Sequence, residues 1–487
     1  MLLKALFLSS LTNLIRSVNL SVISYSLGAT SEVTGSKHFL EIDGHTFLID
    51  CGAWQGNKEI ADEKNRSFNI AADKIDAIFL THSHFDHCGL LPKLVKDGYN
   101  KKIYSTAATA DLANIVMLDS AKIQAKDSIK KEPIYTEKDC VQTSNLFKTI
   151  PYNHKISINK NMEMELFDAG HILGSSMVSL TIKNQRKSLF QKLKKQESKD
   201  INILYSGDLG RQNTPIIRDP YIHMNAPDYL FLESTYGNRL HETAKEVYDD
   251  LTQIINDTVA KKGKVIIPSF AIERTQELLY YIRKLMDEKK IPKIPIYVDS
   301  PMASNATGVF QMHPECYSPK FKKELSQHKN PFSIGTLQFV GDYLDSKNLM
   351  KSKDPLIVIA ANGMCEAGRI IGHLQEGIED PNNTILIVGF MGEGTLGRKI
   401  LEGEKEVKIG DDWYKVKAQI KKINALSSHA DKKEIISWLI KIDTSKLKTI
   451  FLVHGELTAQ EELKHQIERK FGIPVKIVKN NKKYYLK

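Results

Sequence analysis

The chain has 487 residues, 41% of them hydrophobic, with 68 Lys and Arg against 58 Asp and Glu, which leaves room for two sizeable cores in a soluble protein of formal charge +10. Cys51, Cys88, Cys140, Cys316 and Cys365 are scattered, odd in number and without CxxC spacing, which excludes a complete disulfide framework and suits a reducing cytoplasm. The basic balance suits a polyanionic partner, although lysine-rich composition alone names none.

Residues 1–19 carry Lys4 and Arg16 and no acid, and the apolar run Ala5-Leu6-Phe7-Leu8 is broken by Ser9, Ser10, Thr12 and Asn13 before it could span a bilayer. They read as an N-terminal extension; a signal or transit peptide would lack a clear small-residue cleavage site. The run Thr46-Phe47-Leu48-Ile49-Asp50 predicts a strand ending in an aspartate. A second apolar run, Ala77-Ile78-Phe79-Leu80, leads straight into Thr81-His82-Ser83-His84-Phe85-Asp86-His87, after which residues 89–94 resume a helical pattern. In an extended loop, positions two apart face the same way, so His82 and His84 can grip one ion while Asp86 and His87 turn to another. Imidazole and carboxylate at this density suit zinc, with manganese or iron open on ligand type.

Further along, Phe167-Asp168-Ala169-Gly170-His171 sets a histidine after a strand, and Ile203-Leu204-Tyr205-Ser206-Gly207-Asp208 sets an aspartate after another. Between them, residues 183–199 form the most basic local segment, an expected exposed loop. The strand Tyr229-Leu230-Phe231-Leu232 ends in Glu233-Ser234-Thr235, which taken alone reads as a helix cap. Strand, small-residue turn and helix then recur at residues 264–275, 295–303 and 356–369, and a fourth strand, 384–389, precedes residues 392–398. Such units build a parallel sheet whose strand ends and helix N-termini favour anions. Arg274, Arg369 and Arg398 stand near those turns. Near the C-terminus come Ser427-Ser428-His429-Ala430-Asp431, with Asp431 opening a helix, and Phe451-Leu452-Val453-His454-Gly455-Glu456 after a last apolar run.

The HxHxDH run resembles the signature of the metallo-β-lactamase superfamily, and Glu233, His429 and His454 match the three extra motifs of its β-CASP nucleases, the branch that holds the mRNA 3′-end cleavage endonuclease and prokaryotic RNases. The resemblance runs from about Leu27 to the C-terminus. It implies a metallo-β-lactamase αββα sandwich, residues 20–237 and 418–487, carrying an inserted β-CASP α/β domain at 238–417. It also implies that His171 completes the first metal site, that Asp208 bridges both, that His454 serves the second, and that Asp50 supports the histidine loop by hydrogen bonding. Ser234, Arg274, Arg369 and Arg398 become the expected contacts to RNA phosphates.

Two ions about 3.5 to 4 Å apart can share a hydroxide and clamp a phosphate oxygen during in-line attack. The departing oxygen needs a proton, for which a histidine held by a carboxylate, His429 with Glu233, is the natural donor. The expectation is therefore a cytoplasmic, two-zinc ribonuclease acting on single-stranded RNA, endonucleolytic, with no membrane association and with a homodimer left open. RNase J proteins typically carry a further histidine where this chain has Ala425, and the C-terminus leaves little space for their extra domain, which argues against a 5′-exonuclease. The alternatives are a hydrolase of DNA, a thioester or a lactone on the same fold, or a scaffold without catalysis.

Overall fold

The computed structural model describes every residue except 1–20, 69, 128–130, 184–198, 242–243, 390, 393 and 424–425. The N-terminal extension, nearly all of the basic segment 183–199 and Ala425 thus lie outside the described residues.

One seven-stranded sheet runs Tyr484–Leu486, Val22–Ser26, His38–Ile42, His45–Ile49, Ile75–Phe79, Ile103–Ser105, Phe147–Thr149. A second runs Val475–Ile477, Thr449–Val453, Tyr229–Glu233, Ile201–Tyr205, Ser176–Ile182, Met162–Asp168, Ile156–Asn159. The central strands Tyr229–Glu233 and Thr449–Val453 are buried at every position because both faces are covered. In Tyr229–Glu233, Tyr229 and Phe231 enter the core between the sheets while Leu230 and Leu232 enter the core under the outer helices. Phe451 and Val453 divide from Ile450 and Leu452 in the same way on the neighbouring strand. Phe231 stacks on Tyr205 and Phe451, with centroids 4.4 and 4.7 Å away, contacts worth about 0.5–1.5 kcal/mol each beyond simple burial. Helices Leu91–Lys96, Ala107–Asp127 and Glu137–Ser144 cover the first sheet, and Lys432–Lys441 and Leu457–Phe471 the second, through Trp438, Leu439, Leu463 and Ile467. The result is the αββα sandwich.

The inserted part is a six-stranded sheet in the order Leu337–Phe339, Ile296–Asp299, Ile357–Ala360, Val265–Pro268, Thr384–Ile387, Gln419–Lys422, with every pairing parallel. Gln419–Lys422 pairs with Thr384–Ile387, so the chain leaves this sheet only after residue 422. One apolar cluster runs without a break from the sandwich into the inserted part, joining Leu112 and Val116 to Ile267, Leu278 and Phe310. No helix among the described residues is long and apolar enough to cross a membrane.

Candidate metal centre and cleft

The strand Ile75–Phe79 ends one residue before Leu80, and its exit places Thr81 and His82 fully inside the protein. His84 is extended, but it is the N-cap of Phe85–Cys88, a one-turn helix. This turn, rather than the extended loop expected from sequence, is what swings Asp86 and His87 away from His82 and His84. Asp86 is tied down by backbone: its carbonyl accepts from Ser36 N at 2.9 Å, and a Cβ on Gly52 would lie 1.5 Å from that carbonyl oxygen. Only glycine fits there.

Two sets of donor atoms converge. In the first, His84 Nδ1 lies 3.1 Å from both His82 Nε2 and His171 Nε2, and Asp208 Oδ2 lies 3.4 and 3.5 Å from those same two nitrogens. In the second, His454 Nε2 is 3.2 Å from His87 Nε2 and 3.2 Å from Asp86 Oδ2. Asp208 Oδ1 stands between His87 Nε2 at 3.3 Å and His454 Nδ1 at 3.4 Å, buried and without a hydrogen bond. One carboxylate thus offers an oxygen to each set. A buried carboxylate oxygen left unpaired among imidazole nitrogens is costly unless a cation lies between them. The donor chemistry therefore fits two divalent ions.

A supporting shell orients His87 and His454. Asp50 accepts from Thr81 N and Thr81 Oγ1, both at 2.8 Å, and its Oδ2 sits 2.8 Å from His87 Nδ1, which aims Nε2 at the cluster. Asp50 and His454 both have left-handed backbone, φ 61° and 52°, a strain that their contacts must hold in place. Burial drives His82 down to about 3 and His84 down to about 4, so their lone pairs are free for coordination. His87 is the exception: burial opposes its charge, but Asp208, Asp50 and Asp86 outweigh it and raise its pKa well above the ordinary value. Thr235, which the sequence reading passed over, places Oγ1 3.0 Å from His454 Nδ1. Its neighbour Ser234 is fully buried and donates to Val453 O at 2.7 Å, so the expected RNA contact at Ser234 is corrected. Successive residues at a strand end point to opposite sides, and Thr235 is the one on the site's side.

Glu233 is fully buried; it accepts from Leu209 N at 3.0 Å and Thr235 N at 2.9 Å, and its Oε1 lies 3.1 Å from His429 Nδ1. His429 is held from behind by Ala430 N to Leu209 O at 2.7 Å and by His241 Nε2 on its own carbonyl at 2.9 Å. Burial opposes a charge on His429, but Glu233 and then Asp208 overcome it and raise its pKa above the ordinary histidine value. Its ring centroid is 4.5 Å from that of His171.

His84, Asp86, His171, Asp208, Thr235 and His429 line a cleft of about 1460 Å³ between the sandwich and the inserted sheet. The inserted wall consists of residues just past the carboxyl ends of parallel strands, Ser269, Ser300 and Asn362 among them, the usual ligand edge of such sheets. Of the arginines expected to meet phosphates, Arg398 is not on the cleft; its Nε bonds Glu402 on the outer surface at 2.5 Å. Arg369 is on it but is committed, donating to Asp299 at 2.6 Å and to the carbonyls of Val340 and Gly341 at 2.8 and 2.7 Å. Arg274 is on it too, 6% exposed, donating to Val388 O, with Nε unpaired. Lys126, Arg239, Lys347 and Lys351 also line the cleft, and no motif in the sequence singled them out.

The sequence matches the metallo-beta-lactamase superfamily domain over residues 39–209, the Beta-Casp domain over 275–400 and the Zn-dependent metallo-hydrolase RNA specificity domain over 413–478. It is 32% identical to a ribonuclease of Thermus thermophilus over 429 residues, 88% of this chain and 92% of that protein. The chain belongs to the β-CASP family of the metallo-β-lactamase superfamily. Another β-CASP relative, transcription termination factor FttA of Methanocaldococcus jannaschii, is 30% identical over 443 residues, 88% of this chain and 66% of its own length. A crystal structure of a protein of unknown function from Enterococcus faecalis V583 shares the fold alone, at TM-score 0.51 and 11% identity, over 96% of this chain and all of that one.

Proposed function

We propose that this β-CASP protein is a ribonuclease that hydrolyses phosphodiesters within single-stranded RNA, with zinc as its metal. The observation that carries the reading is Asp208, whose two oxygens face two separate sets of imidazole and carboxylate donors at the floor of the cleft. His82, His84 and His171 would hold one ion, Asp86, His87 and His454 the other, and Asp208 both. Two divalent ions there supply an acidified water and neutralise charge on a phosphodiester.

The chain's own residues supply the rest. Asp50 and Thr235 orient His87 and His454. Glu233 holds Nδ1 of His429, leaving Nε2 to carry the proton that the departing ribose oxygen takes up. A cleft of about 1460 Å³ exceeds the roughly 300–1,000 Å³ usual for small-molecule sites, which favours a polymer over a lactone or thioester. Attack by water in place of the ribose 2′-oxygen would leave 5′-phosphate and 3′-hydroxyl ends. The names of the relatives, a ribonuclease and a transcription termination factor, favour RNA over DNA and a cytoplasmic setting. The sandwich would comprise the residues before about 237 and those after Gln419–Lys422, with the inserted domain between them.

The test is metal content per chain together with cleavage of a 5′-labelled single-stranded RNA. His84→Ala should lose an ion and all hydrolysis. His429→Ala should keep both ions and lose turnover by about 10²- to 10⁴-fold. A His429→Ala protein that cleaves at the wild-type rate would remove that residue as general acid.

A further inference from the structure

Helix Tyr343–Lys351 stands on the inserted side of the cleft with Asp342 as its N-cap. Ser346, Leu349 and Met350 are buried, Leu349 in the core of the inserted domain, and this fixes how the helix is rotated. Tyr343, Lys347 and Lys351, four residues apart, therefore share one exposed stripe, and all three line the cleft. Each four-residue step advances them by about 6 Å, so they form a row along the wall rather than a single charged point.

The stripe has the chemistry of a nucleic-acid contact. Tyr343 is 58% exposed, and Lys347 Nζ lies 5.0 Å from its ring centroid. Among the described residues, neither Lys347 nor Lys351 makes an ion pair. The acids on the same wall do not cancel them in kind: Asp299 is held by Arg369, His373 and Ser346, which leaves Glu376 as the nearby lining carboxylate. Across the cleft, Ile123, Gln124 and Lys126 from helix Ala107–Asp127 offer an apolar side chain, an amide and another cation. An exposed ring flanked by cations binds unpaired bases through their faces and phosphates through charge, with little sequence preference.

We propose that Tyr343, Lys347 and Lys351 form a stacking platform for single-stranded RNA at a distance from the scissile bond. One unpaired base lies on the Tyr343 ring, and the two ammonium groups meet the phosphates that flank it. The proposal rests on the ribonuclease reading and names where its substrate is held.

Fluorescence anisotropy of a labelled oligouridylate, read on the full-length metal-loaded protein, tests the platform without requiring cleavage. Tyr343→Ala should weaken binding by about 5- to 100-fold, and Tyr343→Phe, which keeps the ring, should not. Lys347→Gln combined with Lys351→Gln should reduce the slope of log affinity against log salt by about 1.4, or 0.7 for each phosphate contact. Tyr485→Ala is the control, since Tyr485 is 67% exposed on the edge strand Tyr484–Leu486 and should not matter. Wild-type affinity in Tyr343→Ala, or an equal loss in Tyr343→Phe, overturns the platform. If the wild type cleaves RNA while Tyr343→Ala binds normally, only the platform falls; if the wild type binds RNA but never cuts it, only the ribonuclease reading does.

Discussion

On the sandwich side of the cleft Asp208 Oδ1 and His171 Nδ1 are buried without hydrogen-bond partners, whereas on the inserted side buried Asp299 accepts from Arg369, His373 and Ser346 at 2.6 to 2.7 Å. On the first wall Asp208 Oδ1 stands among imidazole nitrogens, and His171 turns Nε2 to the same cluster while its Nδ1 stays unpaired behind the ring. The second closes Asp299 on Arg369, His373 and Ser346 and meets the solvent with lysines and an aromatic ring. A cation centre needs preorganised lone pairs, whose desolvation the ion offsets. A polymer-binding wall needs only charge and flat apolar surface that water leaves easily, so its buried polar groups are free to serve the fold.

The contrast is sharpest at Arg369. If it serves the fold, Arg369→Ala leaves Asp299 buried with one cationic partner fewer and destabilises the protein by about 3–5 kcal/mol. Urea unfolding would read this, and a variant of wild-type stability with weakened RNA binding would put Arg369 back among the phosphate ligands. The counterpart on the other wall is Asp50→Asn, which keeps the size of the side chain but weakens the hold on His87 Nδ1. Metal affinity should fall about 10- to 100-fold with little change in fold, measured by competition with a chelator. Unchanged affinity would mean that the strand end alone aims the ring.

The smallest effect belongs to the seam between the walls. His313, at the end of helix Pro301–Met312, places Nε2 2.8 Å from Asp111 on helix Ala107–Asp127 and Nδ1 2.7 Å from Glu315 in the next turn. Burial opposes its charge, but Asp111 and Glu315 prevail and raise its pKa above 6.5. A folded-state pKa above the unfolded one stabilises fully below 6.5, and this is lost as pH rises through the folded value. The melting temperature of His313→Gln should therefore lie below that of the wild type in mildly acidic buffer and approach it in alkaline buffer. A gap that stays constant across this range would show that the contact is not ionic.

What sequence made legible follows from the same chemistry. Four ligand side chains within residues 82–87 have few other uses, and apolar runs before His82, Asp208, Glu233 and His454 announced strands that end at a common edge. The arginines misled because strand-turn-helix units look alike whether the residue after the turn faces a ligand or a neighbouring carbonyl. Arg369 and Arg398 differ only in what the fold sets beside them, Asp299 for one and Glu402 for the other. Ser234 and Thr235 are adjacent hydroxyls, and strand alternation alone decides which of them meets His454.

The sequence by itself determined the family and the two-part architecture and named the histidines and aspartates that converge in the structure, because clustered donor side chains and buried parallel strands each demand residue types that cannot be exchanged freely. Only the tertiary structure decided which oxygen of Asp208 faces which set, where the chain leaves the inserted sheet, and which cations line the cleft. Those depend on distances between segments hundreds of residues apart, and a lysine such as Lys126, Lys347 or Lys351 carries no local sign of what it will face.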